Sequence, residues 1–280
     1  MFLQSDDFAP DGGAKSAFYD WNVVSMTESL FEKLSSDKKY SDVCPDTIRR
    51  VISECEGRYK KAKDMEKAVR EKLHGITSAF NELGSDIQRE VMQLNPGDGE
   101  ALTRILQRHA STRERLPLSA MDALYAKIFE VTGSPDRILD LACGLNPVYL
   151  LHRFDCDVVG VDISKSCVEL IDEDALENSR GIWGDLLCEN AVPQERFHIA
   201  LLFKILPLLE RQKSGSAMDV MNRIDAEYLV ISFPTRTLGG RNVGMEDNYS
   251  AWMEAHMPEN RTVTARFTTE NELYYVLKEK

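Results

Sequence analysis

The chain has 280 residues, of which 43% are hydrophobic, and its formal net charge is −12 at pH 7. This length and apolar content predict a soluble globular protein of one large domain or two ordinary ones. The acidic balance argues against a protein coated with nucleic acid, because phosphate binding relies on clustered Lys and Arg.

Membrane, secretory and metal-binding classes are also disfavoured. The longest apolar run, around Ile199 to Leu209, is interrupted by Lys204 and Pro207 and is far shorter than the roughly 20 residues that cross a bilayer. The N-terminus has acidic residues where a secretory signal is positively charged. The six cysteines show no C-x-x-C spacing, which favours reduced core thiols. We therefore expect a cytoplasmic protein without a membrane span or a metal site.

Helical periodicity dominates the first part of the chain. Residues 1–25 mix Asp, Gly, Ser and aromatic residues without a sustained period and are predicted to be a loose extension. Beyond them, the i, i+3, i+4, i+7 spacing of a helix face recurs at Ile48, Val51, Ile52 and Cys55, and again at Met65, Val69, Leu73, Ile76 and Phe80. We predict a helical domain over residues 26–110 and a linker helix over residues 111–134.

Strands and helices alternate from residue 135 onward. Five segments rich in Ile, Leu and Val are predicted strands: Arg137–Ala142, Asp157–Ile163, Gly181–Trp183, His198–Lys204 and Glu227–Phe233. The segments between them suit right-handed crossovers of a parallel sheet. Thr262–Thr268 and Glu272–Leu277 are too close for an intervening helix and are predicted to pair as an antiparallel hairpin. Residues 135–280 thus predict an α/β fold: the Rossmann-like, seven-stranded sheet of a class I S-adenosylmethionine (SAM) methyltransferase.

The segment RILDLACGLNPVYLL, residues 137–151, has one glycine in the turn after its strand. A dinucleotide site needs three glycines so that the backbone can approach a pyrophosphate. SAM has no pyrophosphate, so one close turn over Ala142, Cys143 and Gly144 is enough. The helix N-terminus that follows favours a carboxylate. This turn is the first predicted element of a cofactor site.

Two aspartates follow the next two predicted strands. Asp162 ends the second strand eighteen residues beyond Gly144, where a carboxylate accepts hydrogen bonds from ribose hydroxyls; the alternative is a cap on the next helix. Asp185, in GIWGDLL, is placed to accept from the adenine amino group. The backbone N–H of Leu186 is placed to donate to the adenine ring.

The segment FKILPLLE follows the fourth strand and lacks the motifs of several kinds of methyl transfer. These reactions are therefore disfavoured. The segment has no Asn/Asp/Ser-Pro-Pro-aromatic run for an exocyclic amine, and no cysteine lies near the fourth or fifth strand for pyrimidine C5 transfer. Lys204 stands where ribose 2′-O transfer commonly uses an aspartate. A guanine N7 has a free lone pair, so positioning alone accelerates attack, and we predict no general base.

Two stretches are candidates for RNA recognition. Residues 232–252, SFPTRTLGGRNVGMEDNYSAW, offer cations, a methionine and an aromatic ring after the fifth strand; an ordinary surface loop is the alternative. Lys38–Lys72 carries eleven Lys or Arg against seven Asp or Glu, a local excess of +4. A solvated helix surface explains that excess equally well.

The segment HASTRER, residues 109–115, precedes the α/β fold. Ser111 and Glu114 fit a capping box. Alternatively, Arg115 and the hydroxyl groups reach the SAM carboxylate. The spacing leaves both interpretations open.

Taken together, CPDTIRR, LHGITSAF, HASTRERL, LDLACGLNP, LLFKILPLLERQKSGSAM and ISFPTRTLGGRNVGMEDNY resemble the bacterial aminoglycoside-resistance methyltransferases that modify N7 of guanine 1405 in 16S ribosomal RNA. The resemblance runs from about Met26 to the C-terminus. It implies SAM as cofactor, the 30S subunit as partner through the helical domain, and resistance to gentamicin and kanamycin. We expect a monomer. A methyltransferase of another RNA or a small molecule, and a ribosome-binding protein without transfer activity, are the alternatives.

The resemblance also implies roles for individual residues. The SAM contacts would be Phe80, His109, Ala110, Ser111, Arg115, Ala142, Asp162, Asp185, Leu186, Phe203 and Gln212, in addition to Gly144, which the turn itself predicts. The RNA contacts would be Arg49, Arg50, Lys72, His74, Arg236, Arg241, Met245 and Tyr249. Glu210 and Met245 are candidates for positioning the target base.

Overall fold

The computed structural model describes residues 26–77, 83–84, 86–172, 176–235 and 244–280. The chain forms two compact units. The helical unit contains, within the described residues, residues 26–41 and 48–76. The sheet unit contains Asp42–Thr47 and the chain from Thr77 to Lys280.

The helical unit is built from amphipathic helices. Helix α1 covers residues 26–35, and it is followed by α2 (Pro45–Cys55) and α3 (Ala62–Thr77). Pro45 occupies the first position of α2, where its missing N–H costs little. Seven of the predicted apolar positions in these helices are buried, whereas Ile76 is only half-buried; the buried ones are Ile48, Val51, Ile52, Cys55, Met65, Val69 and Leu73. Phe80 lies outside the described residues.

A seven-stranded sheet with the order β3-β2-β1-β4-β5-β7-β6 forms the centre of the sheet unit. Its strands are β1 (Arg137–Leu141), β2 (Asp157–Asp162), β3 (Ser179–Trp183), β4 (Phe197–Phe203), β5 (Ala226–Pro234), β6 (Arg261–Thr268) and β7 (Glu272–Glu279). Strands β1 to β5 are parallel, whereas β7 pairs antiparallel with both β5 and β6. The predicted fold class is confirmed, and no predicted strand end is off by more than two residues.

Helices cover both faces of this sheet. They are α4 (Ile87–Met92), α5 (Gly99–Leu106), α6 (Ala110–Arg113), α7 (Leu118–Thr132), α8 (Asn146–Arg153), α9 (Lys165–Glu169), α10 (Leu206–Gln212), α11 (Ser216–Arg223) and α12 (Met245–Ala255). Neighbouring residues of β1 point to opposite faces, so Ile138 belongs to one apolar core and Leu139 to the other. Two separate cores follow from this alternation.

The connection before the sheet differs from the predicted single helix over residues 111–134. It consists of α6 and α7, with residues 114–117 between them. Pro117 stands before the first residue of α7 and disfavours a helical conformation at Leu116. A continuous helix therefore cannot pass through this point.

The division between the compact units also lies at residue 77 rather than near residue 110. Helices α4 and α5 share the periodicity of the helices before them, but they pack on the sheet. Their apolar residues Ile87, Val91, Leu102, Ile105 and Leu106 join the core that contains Ile138 and Val148. Helical periodicity shows which face of a helix is buried, but it does not show which other element packs against that face.

Candidate active site

A tight turn follows β1 at the edge of the sheet where the parallel strands end. Ala142 and Gly144 both adopt the left-handed region, with φ of 55° and 52°. A Cβ atom on Gly144 would lie 2.5 Å from a ring carbon of His109, so that only glycine fits here. Helix α8 begins directly afterwards, with Pro147 in its first turn.

Asp162, at the end of β2, binds this turn directly. One carboxylate oxygen accepts the N–H of Gly144 at 2.9 Å, and the other accepts the N–H of Ser164 at 2.9 Å. Burial raises the pKa of Asp162 above its usual value, and these two N–H groups oppose that rise. The N-cap of α9 is Ser164 and not Asp162. A carboxylate has about four lone-pair sites, so these bonds leave room for a further donor.

Asp185 completes the row of cofactor candidates along this edge. It follows β3, is 3% exposed, and its carboxylate accepts the N–H of Leu187 at 2.9 Å. Leu186 beside it is also buried. Because β1, β2 and β3 are neighbours in the sheet, Gly144, Asp162 and Asp185 follow three adjacent strands.

His109 packs against the turn, and Ser111 and Glu114 do not form a capping box. Helix α6 starts at Ala110 with His109 as N-cap, and Glu114 lies at its other end. Ser111 is therefore inside the helix, and its hydroxyl lies 3.1 Å from His109 Nδ1. Burial, with a contribution from Arg115, lowers the pKa of His109 to about 4, so this ring is neutral at pH 7. The capping-box interpretation is wrong.

Arg115 anchors a buried polar cluster that was not predicted. Its Nε lies 3.0 Å from Glu272 Oε1, and its guanidinium lies 4.6 Å from the centre of the Phe203 ring. The other oxygen of Glu272 accepts the hydroxyls of Ser232 at 2.6 Å and Tyr274 at 2.9 Å. Burial would raise the pKa of Glu272, but the charges of Arg115 and Lys204 outweigh it and hold the pKa below its usual value.

Asp140 is a second buried carboxyl group that was missed. It lies inside β1, is 2% exposed, and accepts Asn146 Nδ2 at 2.7 Å. Asn146 in turn accepts the hydroxyl of Tyr125 at 2.9 Å. Burial raises the pKa of Asp140 to about 7. An acidic residue inside the apolar strand RILDL was the only signal available in the sequence.

The pKa of Asp140 predicts a specific dependence of stability on pH. The unfolded chain ionises near the usual value of 3.8, whereas the folded chain retains the proton up to about pH 7. Between these two pH values the unfolded state is stabilised relative to the folded state, because only the unfolded chain ionises Asp140. The free energy of unfolding of the wild type, minus that of Asp140→Asn, should therefore fall by up to about 4 kcal/mol as pH rises. Urea denaturation across this pH range measures the difference, and a difference that stays constant with pH would contradict the assignment.

A pocket of about 280 Å³ lies between α10, β5 and α12, lined by Pro207, Glu210, Arg211, Phe233, Tyr249 and Trp252. Tyr249 stacks on Phe233 with ring centres 4.9 Å apart. The carboxylate of Glu210 accepts the N–H of Gly215 at 2.7 Å, and this bond lowers its pKa. The structure thus brings Glu210 and Tyr249 to one pocket.

Several other candidates lie apart from this pocket or are not described. Met245 is the first residue of α12 and does not line the pocket. Gln212 ends α10, where its amide donates to the carbonyl of Leu208 at 3.4 Å. Arg236 and Arg241 lie outside the described residues.

The basic candidates of the helical unit are engaged with carboxylates. Arg49 pairs with Glu28 at 3.0 Å and lies over the ring of Phe31. Arg50 and Lys72 both pair with Glu54 at 2.7 Å. His74 is exposed in the last turn of α3. The RNA-binding roles of these residues stay predictions.

Neither a metal site nor a membrane span is found in the described residues. Within them, no three His, Cys, Asp or Glu side chains come together in a way that suits a metal ion. No helix in that part of the chain has the length and apolar character needed to span a bilayer.

The strand order, the glycine turn after β1 and the carboxylates after β2 and β3 define a class I SAM-dependent methyltransferase. The chain belongs to the Ribosomal RNA methyltransferase (FmrO) family, whose sequence profile matches residues 36–276. The family resemblance seen in the sequence is thereby confirmed.

Individual relatives match over nearly their whole length. A 16S rRNA (guanine(1405)-N(7))-methyltransferase of Serratia marcescens is 40% identical over 261 residues, which cover 91% of this chain and 99% of the relative. One of Proteus mirabilis is 33% identical, with 89% and 96% covered. The crystal structure of the 16S rRNA methyltransferase RmtF in complex with S-adenosyl-L-homocysteine has a TM-score of 0.79 and 42% identity, with 91% and 98% covered. The 16S rRNA methylase RmtB has a TM-score of 0.76 and 34% identity, with 91% and 98% covered.

Proposed function

We propose that this protein transfers the methyl group of SAM to N7 of guanine 1405 in 16S rRNA of the 30S subunit. One observation carries the proposal above all others: the S. marcescens enzyme of that specificity aligns with this chain over 99% of its length. Methylation at this position would confer resistance to gentamicin and kanamycin. The protein would act in the cytoplasm as a monomer on the 30S particle.

The cofactor fits the donors and acceptors at the carboxyl edge of the sheet. Asp162 and Asp185 offer acceptor oxygens only, which match the ribose hydroxyls and the adenine amino group. Leu186 N–H would donate to the adenine ring, and the turn at Gly144 would pass the methionine portion. When bound, SAM supplies a methyl group activated by its sulfonium charge. RmtF, the related methyltransferase, has been crystallised with the corresponding product, S-adenosyl-L-homocysteine.

The protein's own contribution to catalysis would be positioning. Guanine N7 carries a lone pair and no proton, so the step needs no base; holding the lone pair in line with the methyl group accelerates attack. Glu210 is poorly suited to proton transfer, because its carboxylate accepts backbone N–H groups at the start of α11 and its pKa is lowered. Its place in the pocket suits recognition of a base edge.

The target base must leave its stack before it can react, which costs a few kcal/mol. We infer that the pocket beside Tyr249 receives it. Stacking of a base on an aromatic ring contributes about 1–3 kcal/mol, enough to offset much of this cost. Met245, Arg236 and Arg241 would contact the RNA near the target guanine.

Docking on the 30S subunit would use the helical unit. Its cations Arg49, Arg50 and Lys72 already pair with Glu28 and Glu54. The side chains of Arg49 and Glu28 are half exposed, and exposed pairs of this kind contribute little to stability. RNA phosphates would therefore displace the carboxylates at small cost.

Reversing the charge of Arg49 and Arg50 together should weaken 30S binding strongly and leave SAM affinity unchanged. Two phosphate contacts would be lost and two repulsive charges gained, which at low salt predicts a loss of at least about tenfold. Filter binding with 30S subunits and calorimetry with S-adenosylhomocysteine measure the two affinities. The matched control reverses Arg180 and Arg196, which also pair with carboxylates but lie near the amino ends of β3 and β4. Equal losses of 30S binding in both variants would contradict the docking role of the helical unit.

The resistance itself is tested in a susceptible bacterium. Expression of the wild-type chain should raise the inhibitory concentrations of gentamicin and kanamycin, and expression of the Asp162→Ala variant should not. Unchanged susceptibility despite soluble wild-type protein would refute this part of the proposal.

A further inference from the structure

The loop that follows Asp162 is held by a segment far away in the sequence. We call residues 163–166 the ribose loop, because they directly follow the proposed ribose-binding carboxylate. The carbonyl of Ile163 accepts the N–H of Cys44 at 2.7 Å, and the N–H of Lys165 donates to the carbonyl of Asp42 at 2.8 Å. Val43 and Ser164 form an antiparallel bridge between these two bonds. Residues 42–44 thus form a short strap along the ribose loop.

The side chain of Asp42 makes the densest set of contacts in this strap. Its Oδ1 accepts both the N–H of Ser166 at 2.7 Å and the hydroxyl of Ser166 at 2.5 Å. Its Oδ2 accepts the hydroxyl of Ser164 at 2.7 Å. Three donors, all from the ribose loop, therefore converge on one half-buried carboxylate.

Ser164 connects this carboxylate to Asp162. Its N–H donates to Asp162 Oδ1 at 2.9 Å, while its hydroxyl donates to Asp42 and accepts the N–H of Cys167. The orientation of Ser164 thus depends on Asp42 from one side and sets one hydrogen bond of Asp162 on the other. A shift of the ribose loop would change the direction of the Asp162 carboxylate.

We propose that Asp42 is a positioning residue for the cofactor: it fixes the ribose loop so that Asp162 presents its carboxylate to the ribose hydroxyls. This inference rests on the proposed binding of SAM by Asp162. It assigns to the region before α2 a role in cofactor affinity.

Charge and geometry have opposite effects here, and they can be separated. The negative charge of Asp42 disfavours a second negative charge on Asp162, which is one cause of the raised pKa of Asp162, after burial. If charge dominated, removal of Asp42 would favour the ionised Asp162 and strengthen SAM binding. If the geometry of the ribose loop dominates, removal of Asp42 weakens SAM binding. The converging hydrogen bonds to the ribose loop favour geometry.

The test compares Asp42→Ala, Asp42→Asn and a control, Glu195→Ala, by calorimetry with S-adenosylhomocysteine. Glu195 is also half-buried and joins remote parts of the chain, pairing with Arg137 at 2.5 Å and with Arg180, but these arginines lie near the amino ends of β1 and β3. Thermal unfolding of each variant reports the loss of stability. The KM for 30S subunits shows whether recognition of the RNA substrate has changed.

Asp42→Ala should bind S-adenosylhomocysteine about tenfold more weakly, as expected for the loss of hydrogen bonds to a charged group. Asp42→Asn, which keeps an acceptor for the N–H of Ser166, should lie between it and the wild type. Glu195→Ala should bind S-adenosylhomocysteine as the wild type does, even if its unfolding temperature falls as far as that of Asp42→Ala. The KM for 30S subunits should not change.

Unchanged or tighter binding by Asp42→Ala overturns the inference, and so does an equal loss in Glu195→Ala. If Asp42→Ala does not fold, Asp42→Asn decides, because unchanged affinity in that variant overturns it too. A wild-type protein that does not bind S-adenosylhomocysteine would refute the proposed cofactor instead, so the two failures are distinguishable.

Discussion

Replacing Asp162 with alanine should lower the affinity for SAM by at least about 100-fold, since each hydrogen bond to a charged group contributes about 1.5–3 kcal/mol and the ribose offers two hydroxyls. The same change removes the acceptor that holds the N–H groups of Gly144 and Ser164. The turn and the ribose loop would then lose their common partner. Calorimetry with S-adenosylhomocysteine measures the loss directly.

Two further variants separate cofactor binding from folding. Asp162→Asn keeps one carbonyl oxygen as acceptor and should lose less affinity than Asp162→Ala. Asp157→Ala changes the exposed aspartate at the other end of the same strand and should bind as the wild type does. An Asp162→Ala protein that folds and keeps wild-type affinity would disprove the ribose role.

The second large effect concerns stability. Glu272→Ala should lower the free energy of unfolding by about 3–5 kcal/mol, because it leaves the buried charge of Arg115 without its partner. Arg115 and Glu272 are 7% and 1% exposed, so water cannot replace the lost carboxylate. The hydroxyls of Ser232 and Tyr274 lose their acceptor as well. Denaturation with urea, fitted with a common slope, measures the change.

An exposed pair at the opposite end of β5 and β7 provides the control for Glu272. Glu227, in β5, lies 3.3 Å from Lys278 in β7, and both side chains are more than a third exposed. Glu227→Ala should cost less than about 1 kcal/mol. A Glu272→Ala variant no less stable than Glu227→Ala would show that the buried cluster contributes nothing to stability.

The contribution of Glu272 also depends on pH. Its pKa is lower in the folded chain than in the unfolded chain. Its stabilising effect is therefore complete above the usual pKa of a glutamate and is lost as the pH falls through the lowered value. The difference between wild type and Glu272→Ala should shrink on acidification.

The parts of this molecule that follow local rules could be predicted from the sequence. The strand positions and the residues at strand ends follow from periodicity, and the parallel pairing follows from the crossover geometry. The sequence therefore places Gly144, Asp162 and Asp185 together along one edge of the sheet. The predicted hairpin at the C-terminus depends on the same kind of local information.

The parts that depend on distant contacts could not be predicted in this way. Arg115 and Glu272 are 157 residues apart in the sequence, and Asp42 and Ser166 are 124 apart. Nothing local marks Glu272 as buried, because a charged residue at the first position of a strand is ordinarily solvated. The packing of α4 and α5 on the sheet could not be predicted for the same reason. Their amphipathic pattern does not show which surface covers their apolar faces.

The central claim is tested most directly on purified 30S subunits of a susceptible bacterium. The subunits are incubated with the protein and SAM, and the 16S rRNA is then cleaved reductively at N7-methylguanine and mapped by primer extension. We expect one new, SAM-dependent cleavage at guanine 1405, absent with Asp162→Ala. A wild-type protein that binds S-adenosylhomocysteine but leaves guanine 1405 unmodified, or modifies another nucleotide, would contradict the account.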